Sequence, residues 1–155
     1  MEGITALADA LCVTASVTRL LLKDNNWGAQ GAQHLSEALK VNKSVTELDI
    51  SNSEQRSSGD IRAEGAKYIA EMLSVNASVT KLSLANNDLK EEGTKAVCEA
   101  LHGNKTLKEL DLRGGAPEYN NIGEAAGAKH VAHMLGVNAS ITTVCQIRQV
   151  IKCLS

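Results

Sequence analysis

The 155-residue sequence has no phenylalanine, one proline (Pro117), one tryptophan and two tyrosines. With so few aromatic rings, leucine and valine must supply most of the buried apolar surface of any core. The composition shows no shift along the chain that would suggest a boundary between domains. The sequence therefore predicts one domain-sized unit over residues 1–155, with an aliphatic core.

A strong excess of charge of either sign is also absent. The formal net charge at pH 7 is −2, and lysine and arginine are interspersed among aspartate and glutamate. No basic stripe is present, which disfavours nucleic acid as a partner. No apolar run is long enough for a transmembrane helix, and the N-terminal apolar run, unlike a secretion signal, lacks a basic start and contains Asp9. We therefore expect neither a membrane nor a nucleic-acid partner.

Residues suited to catalysis or metal binding are few and scattered. His130 and His133 lie three residues apart, so both can reach one ion from a helix, but no third ligand of suitable spacing is evident. No nucleophile with its base, no phosphate-binding loop and no functional acid pair is recognisable. The sequence therefore predicts no enzyme and no metal or cofactor site.

The four cysteines are Cys12, Cys98, Cys145 and Cys153, and no C-x-x-C motif occurs. If the C-terminal residues are helical, Cys145 and Cys153 lie about 12 Å apart along the helix axis, too far apart for a disulfide. Free thiols are typical of a reducing compartment, so we expect a cytoplasmic protein.

An internal repeat organises the sequence. Residues 78–105 form one complete unit, which opens with the pattern V-x-x-L-x-L-x-x-N-x-L and closes with a helical pattern over 93–101. Equivalent openings occur at Ser16, Ser44, Ser78, Thr106 and Ser140, so a shorter and a longer unit alternate. Residues 16–77 align with 78–139 without a gap, at solvent-side as well as core positions. We infer duplication of a block of two units.

Side-chain alternation predicts how these units pack. Leucines two positions apart in each strand, such as Leu82 and Leu84, point into one core, where each buried aliphatic side chain is worth roughly 1.5–3 kcal/mol. One unit cannot cover its own apolar face, so neighbouring units must stack. The predicted parts are an N-terminal half repeat (1–15), four repeats (16–43, 44–77, 78–105 and 106–139) and a C-terminal partial repeat or cap (140–155).

The pattern L-x-x-L-x-L-x-x-N-x-L, at a period of about 20–29 residues, resembles that of leucine-rich repeats. In its length and its short helix, the shorter unit is similar to a repeat of the ribonuclease-inhibitor-like subclass. That subclass is also found in innate-immune sensors, the Ran GTPase-activating protein and tropomodulins. The resemblance implies an α/β solenoid, a horseshoe segment with a parallel sheet on the concave side and α-helices on the convex side. It implies little about function, because many unrelated proteins share the fold.

The repeat columns also predict roles for single residues. Asn25 and Asn87 should fill the turn after the strand and bond orphaned backbone groups, and Trp27 should be a core residue. Gly93 and its equivalents should let the helices approach the sheet, and Leu135 should face inward. Four N-x-S/T sequons fall in one column just past each helix, where asparagine suits the helix end, at Asn42, Asn76, Asn104 and Asn138.

The outward face of the sheet is the first candidate binding surface, and basic and acidic rows alternate along it. Its predicted residues are Arg19, Leu21, Lys23, Glu47, Asp49, Ser51, Lys81, Ser83, Ala85, Glu109, Asp111 and Arg113. Much of this alternation can neutralise charge between adjacent strands without any partner. A mixed charged surface suits a protein or peptide better than a lipid or a polyanion.

The second candidate surface consists of the six-residue insertions that lengthen two of the units. They lie in the loops 51–60 and 113–121, whose bases should emerge about 10 Å apart at one edge of the sheet. Insertions in solenoids often mark the binding edge, although lengthening a surface loop is also thermodynamically mild. The position of the motif asparagine holds Ser53 in one long unit and Gly115 in the other, unless Asn120-Asn121 restores the motif after the second insertion. The candidate contacts in the loops are Glu54, Arg56, Glu118 and Tyr119.

The favoured function is a non-enzymatic scaffold that binds a protein partner through the sheet and the inserted loops. The alternatives are a tropomodulin-like actin-binding module, suggested by the run A-E-M-L-x-V-N at 70–76, and a regulator of a small GTPase. The last residues leave three possibilities open, namely a cap, a fragment of a longer array, or self-association through an apolar end. Apolar residues at helical spacing in this segment are Ile147, Val150, Ile151 and Leu154.

Overall fold

The computed structural model describes residues 2–53, 59–114 and 121–145, and over these residues five helices alternate with five strands. The helices are α1 (Glu2–Val13), α2 (Gly28–Val41), α3 (Arg62–Val75), α4 (Lys90–Gly103) and α5 (Glu124–Val137). The strands are β1 (Arg19–Leu21), β2 (Glu47–Asp49), β3 (Lys81–Ser83), β4 (Glu109–Asp111) and β5 (Thr143–Cys145). The spacing between successive strands alternates between shorter and longer, as it does in the sequence repeat.

All five strands form one parallel sheet in the order β1-β2-β3-β4-β5, and each helix packs on its neighbours along the chain. The middle residues of the strands stand in register and, from β1 to β4, are buried leucines: Leu20, Leu48, Leu82 and Leu110. Side chains alternate along a strand, so the first and third residues of each strand lie on the outward face. This arrangement confirms the predicted α/β solenoid, with the core between the sheet and the helices.

The helices α2 to α5 are each 14 residues long, which is longer than the sequence pattern suggested. They begin three residues before the glycine that was predicted to open them. A Cβ on Gly93 would lie 2.9 Å from Ala66 Cβ and 3.0 Å from Ala63 Cα. Both residues belong to α3, so the expectation that this glycine faces the sheet is wrong. It is needed because adjacent helices approach each other closely in their first turns.

The sequon asparagines form a ladder just past the helices, as the repeat columns predict, and all four are buried. Asn76 is representative. Its Nδ2 donates to the carbonyl oxygens of Leu39 (2.7 Å) and Asn42 (3.3 Å) in the preceding unit. Its Oδ1 accepts from the backbone N–H groups of Ser78 (2.8 Å) and Val79 (2.9 Å), which open the following unit. The amide therefore joins two units, which confirms the structural role predicted for the sequon asparagines.

A second asparagine column fills the turn between strand and helix. Asn87 is buried, as expected, and its Nδ2 donates to Ile50 O (2.9 Å) in the preceding unit. Asn121 restores the motif in the second long unit, where its Nδ2 donates to Leu84 O (3.0 Å) and its Oδ1 accepts from Asn87 N (2.9 Å). Asn25 bonds only within its own turn and stays exposed, since β1 is the first strand of the sheet.

Side chains at the two ends of the array are less covered than their equivalents in the middle. Leu135 is 39% exposed, whereas its equivalent Leu101 in α4 is fully buried under α5. The expectation that Leu135 faces a closed core is wrong, because within the described residues no helix packs beyond α5. Trp27, in the first unit, is half-buried against the core and its Nε1 donates to Leu22 O at 3.1 Å, which confirms a structural role. The predicted cap residues of the C-terminus lie outside the described residues.

Candidate protein-interaction surface

The first residues of β1 to β4 form a line of alternating charge across the outward face of the sheet, which we call the charged row: Arg19, Glu47, Lys81 and Glu109. Arg19 Nε donates to Glu47 Oε2 at 2.6 Å, and Lys81 Nζ lies 2.9 Å from Glu109 Oε1. The charged row therefore consists of two ion pairs between adjacent strands, as predicted from the alternation.

These ion pairs favour the charged forms of Glu47 and Lys81, and the side chains of the row remain in contact with water. The hydrogen bond from Arg19 lowers the pKa of Glu47, and the hydrogen bond to Glu109 raises the pKa of Lys81. Both groups are therefore charged at neutral pH. The side chains of Arg19 and Lys81 are 62% and 50% exposed, and exposed ion pairs add little to stability. Loss of these bonds would therefore cost the fold little.

The third residues of the strands form a second row beside the charged row. Asp49 Oδ1 accepts from Ser51 N (3.0 Å) and Ser51 Oγ (2.6 Å), which fixes the turn after β2. Asp111 Oδ2 accepts from Arg113 Nη2 at 2.7 Å, which holds the guanidinium against the end of β4. Leu21, at the start of the same row, is 54% exposed and offers an apolar contact.

Two positions expected on the outward face are instead buried. Ser51 and Ala85 are only 6% and 5% exposed, although Lys23 in the same column is exposed. Both lie just beyond the strands, where the backbones of neighbouring turns bond to them: Asp24 N donates to Ser51 O and Asn52 N donates to Ala85 O, each at 3.0 Å. Exposure therefore stops alternating at the ends of β2 and β3, and the outward face is two residues wide in these two strands.

The loop residues Glu54, Arg56, Glu118 and Tyr119 lie outside the described residues, but the bases of both loops are described. Asn86 connects them: its Nδ2 donates to Asn52 O (2.9 Å) in the first loop, and its N–H donates to Arg113 O (2.7 Å) in the second. Burial raises the pKa of Asp60, which closes the first loop and accepts a bond from Asn52 Nδ2 at 3.0 Å. Sequence reasoning did not single out Asn86, although it directly precedes the motif asparagine.

The described residues show no evident arrangement for catalysis. Cys12, Cys98 and Cys145 are free thiols, and burial raises the pKa of Cys98 to about 12. In the described part of the chain, no group of three or more histidine, cysteine, aspartate or glutamate side chains could hold a metal ion. His130 Nε2 lies 3.6 Å from Glu91 Oε1. None of the described helices is long and apolar enough to cross a membrane.

Comparison with known proteins agrees with the architecture. A family model described as Leucine Rich repeat matches residues 75–98. Over 127 residues the chain is 35% identical to leucine-rich repeat-containing protein 45 of Gallus gallus. The match covers 82% of this chain and 14% of the chicken protein, so the chain spans a small part of that relative.

Solved structures with a similar fold cover nearly the whole chain. Leiomodin-1 Actin-Binding Site 2 has a TM-score of 0.80 at 19% identity, covering 99% of this chain and 82% of its own. The tropomodulin C-terminal domain of Caenorhabditis elegans has a TM-score of 0.73 at 12% identity, covering 97% and 90%. At such low identity these structures support the fold alone. The stacked units, the family model and the chicken relative together show that the chain is a leucine-rich repeat protein.

Proposed function

We propose that this leucine-rich repeat protein is a non-enzymatic interaction module, which binds a protein partner through the outward face of its sheet and the adjoining loop bases. The exposure of the charged row is the observation that carries the proposal. Its side chains add little to the stability of the fold, so they are available for contacts. The bond network at Asn86 supports a shared role for the two loops, because it fixes both bases at the same edge.

The charge pattern supports a partner with alternating charges rather than a polyanion. The charged row carries two cations and two anions, so its net field is small and long-range steering is weak. Strands are about 4.8 Å apart, and a segment lying across them would meet opposite charges at that spacing. A partner segment out of register would place like charges together, which disfavours binding. Leu21, beside Arg19, adds an apolar contact at one end of the row.

A pair of double variants tests the surface. Arg19→Glu with Lys81→Glu reverses both cations of the charged row. The matched control Lys67→Glu with Lys95→Glu reverses two similarly exposed cations on the helices. Partners are first captured by photo-crosslinking from position 83, on the outward face beside the charged row, identified by mass spectrometry, and then purified for calorimetric titration.

We expect the sheet variant to lose about tenfold or more in affinity and the helix variant to bind like the wild type. Equal affinity of the sheet variant and the wild type, or a loss confined to the helix variant, would remove the outward face as the site. Thermal melting of both variants controls for folding, and we expect a modest decrease for the sheet variant because it places four glutamates in register on adjacent strands.

Actin is the first purified partner to test, because one structural neighbour, from leiomodin-1, is named as an actin-binding site. Co-sedimentation with filamentous actin and titration of monomeric actin both measure binding. Absence of binding in both would remove the tropomodulin-like alternative and leave the scaffold proposal standing. For the GTPase alternative, the measurement is the rate of GTP hydrolysis by candidate small GTPases, where no acceleration removes those tested.

Two finer points belong to the same proposal. The free thiols support a cytoplasmic location, which imaging of the tagged chain would test. The exposed Leu135 supports self-association through the C-terminal end of the array. Size-exclusion chromatography with light scattering would show a dimer in that case, and a monomer at all accessible concentrations would contradict it.

A further inference from the structure

One contact between helices differs between the two halves of the duplication. In the first block, Lys40 Nζ on α2 lies 3.1 Å from Glu71 Oε2 on α3. The equivalent residues of the second block are His102 on α4 and His133 on α5. Their ring centroids lie 5.1 Å apart, with an angle of 61° between the ring planes. An ion pair in one block is therefore replaced by a pair of imidazoles at the same contact in the other.

This separation suits two ligands of one metal ion. Imidazole nitrogen is a preferred ligand of zinc and other late divalent transition metals, at a metal–nitrogen distance of about 2.0–2.1 Å. The centre of each ring lies about 1 Å behind its nitrogen, so two imidazoles on one tetrahedral ion have centroids about 5 Å apart. The observed 5.1 Å fits that geometry, and rotation about the side-chain bonds can direct a nitrogen of each ring toward a shared ion.

The surroundings leave the pair open to an ion from solvent. Both histidines are exposed, and Glu99 lies one turn before His102, as Glu37 lies one turn before Lys40. In the first block that glutamate reaches the residue at the helix contact, with Glu37 Oε1 2.7 Å from Lys40 Nζ. No three metal-binding groups are already gathered among the described residues, so water or a rotated Glu99 must complete the coordination.

We propose that His102 and His133 form a two-histidine zinc site that bridges α4 and α5. The site takes the place of the ion pair that joins α2 and α3. A bound ion would connect the last two described helices at the end of the array where Leu135 is exposed. The inference is independent of the proposed binding surface, which lies on the opposite side of the core.

Calorimetric titration of zinc chloride into the full chain at pH 7.5 tests the site. The variants His102→Gln and His133→Gln each remove one ligand, and His34→Gln is the matched control, an exposed histidine on α2. We expect one saturable zinc site in the wild type and in the control, and its loss in each ligand variant. Zinc should raise the melting temperature of the wild type and the control only. An unchanged zinc site in either ligand variant, or equal loss in the control, would overturn the proposal.

A second readout separates this site from the exposed thiol of Cys12, because a thiolate is also a zinc ligand. The variant Cys12→Ser should keep the saturable site, and loss of the site in that variant would overturn the proposal. Nuclear magnetic resonance of the histidine rings in the wild type needs no variant. Substoichiometric zinc should shift the resonances of His102 and His133 together and leave those of His34 in place. Unshifted His102 and His133 resonances would refute the site.

Discussion

Replacement of Asn87 by alanine should destabilise the protein much more than the same replacement of Asn25. The two residues occupy the same position in the repeat, but Asn87 is 1% exposed whereas Asn25 is exposed. Asn87 Nδ2 donates to Ile50 O (2.9 Å) and Ala85 O (3.1 Å). Its Oδ1 accepts from Ile61 N (3.3 Å) and Asn52 Nδ2 (3.1 Å). Alanine therefore removes four bonds, of which three join Asn87 to the preceding unit.

The magnitude follows from what each former partner retains. Ala85 O still accepts from Asn52 N, and Asn52 Nδ2 still donates to Asp60 Oδ1. Ile50 O and Ile61 N lose the bonds that Asn87 gave them, and an unsatisfied buried backbone group costs about 1–3 kcal/mol. We therefore expect Asn87→Ala to reduce the free energy of unfolding by about 2–4 kcal/mol. In Asn25→Ala, water can replace the lost bonds, so we expect a change within about 0.5 kcal/mol.

Urea denaturation followed by circular dichroism measures both changes, and thermal melting provides a second measurement. For a chain of this size, about 3 kcal/mol corresponds to a decrease in melting temperature of about 6–12 °C. Near-equal effects of the two substitutions would refute the reasoning, because they would show that the inter-unit bonds of Asn87 add nothing. An altered denaturant slope would show a change in the native or unfolded state beyond the bonds themselves.

Gly93→Ala should destabilise by about 1–3 kcal/mol, because its Cβ would meet α3, whereas Gly103→Ala, with no atom within 4 Å, should be neutral or stabilising by up to about 1 kcal/mol. Both are measured by urea denaturation, and equal effects would contradict the close helix contact. Cys98 should resist iodoacetamide at pH 8 until the chain unfolds, whereas exposed Cys12 should react in the native state, as mass spectrometry would show. Asn76 should carry no glycan when the folded chain is recovered from a secretory host, because its amide is buried and bonded to two units, and a glycopeptide at this site would contradict that structure.

Under the proposed function, the charged row limits the kind of partner that the outward face of the sheet could recognise. The cations and anions of the charged row are already paired with each other. A partner that binds there must therefore replace existing ion pairs rather than bind to unpaired charges. The association rate should therefore depend weakly on salt, and selectivity should come from the register of charges. Asp111 and Arg113 follow the same principle at the end of β4, where the guanidinium is held by its own strand.

Sequence alone was sufficient for the order of strands and helices and for most of the core. Period-two leucines such as Leu82, and the helical spacing after them, are local properties of the chain, and each unit repeats them with little change. The asparagine at each helix end was also recognisable from its column. Asn120-Asn121 was recognised as the pair able to restore the motif in the second long unit, and the structure places Asn121 in that role. Local pattern was enough because each unit faces nearly the same environment as its neighbour.

Only the tertiary structure decided what depends on the neighbouring unit. Asn25 and Asn87 carry the same motif, but only Asn87 has a preceding strand whose carbonyl it can bond. Gly93 faces a helix rather than the sheet, and Leu135 is exposed because no described helix covers it. His102 meets His133, which belongs to the next helix along the chain. These outcomes depend on contacts between residues about one repeat apart in the sequence. Stacking of the units brings such residues together, and the local sequence pattern of either unit does not predict the contact.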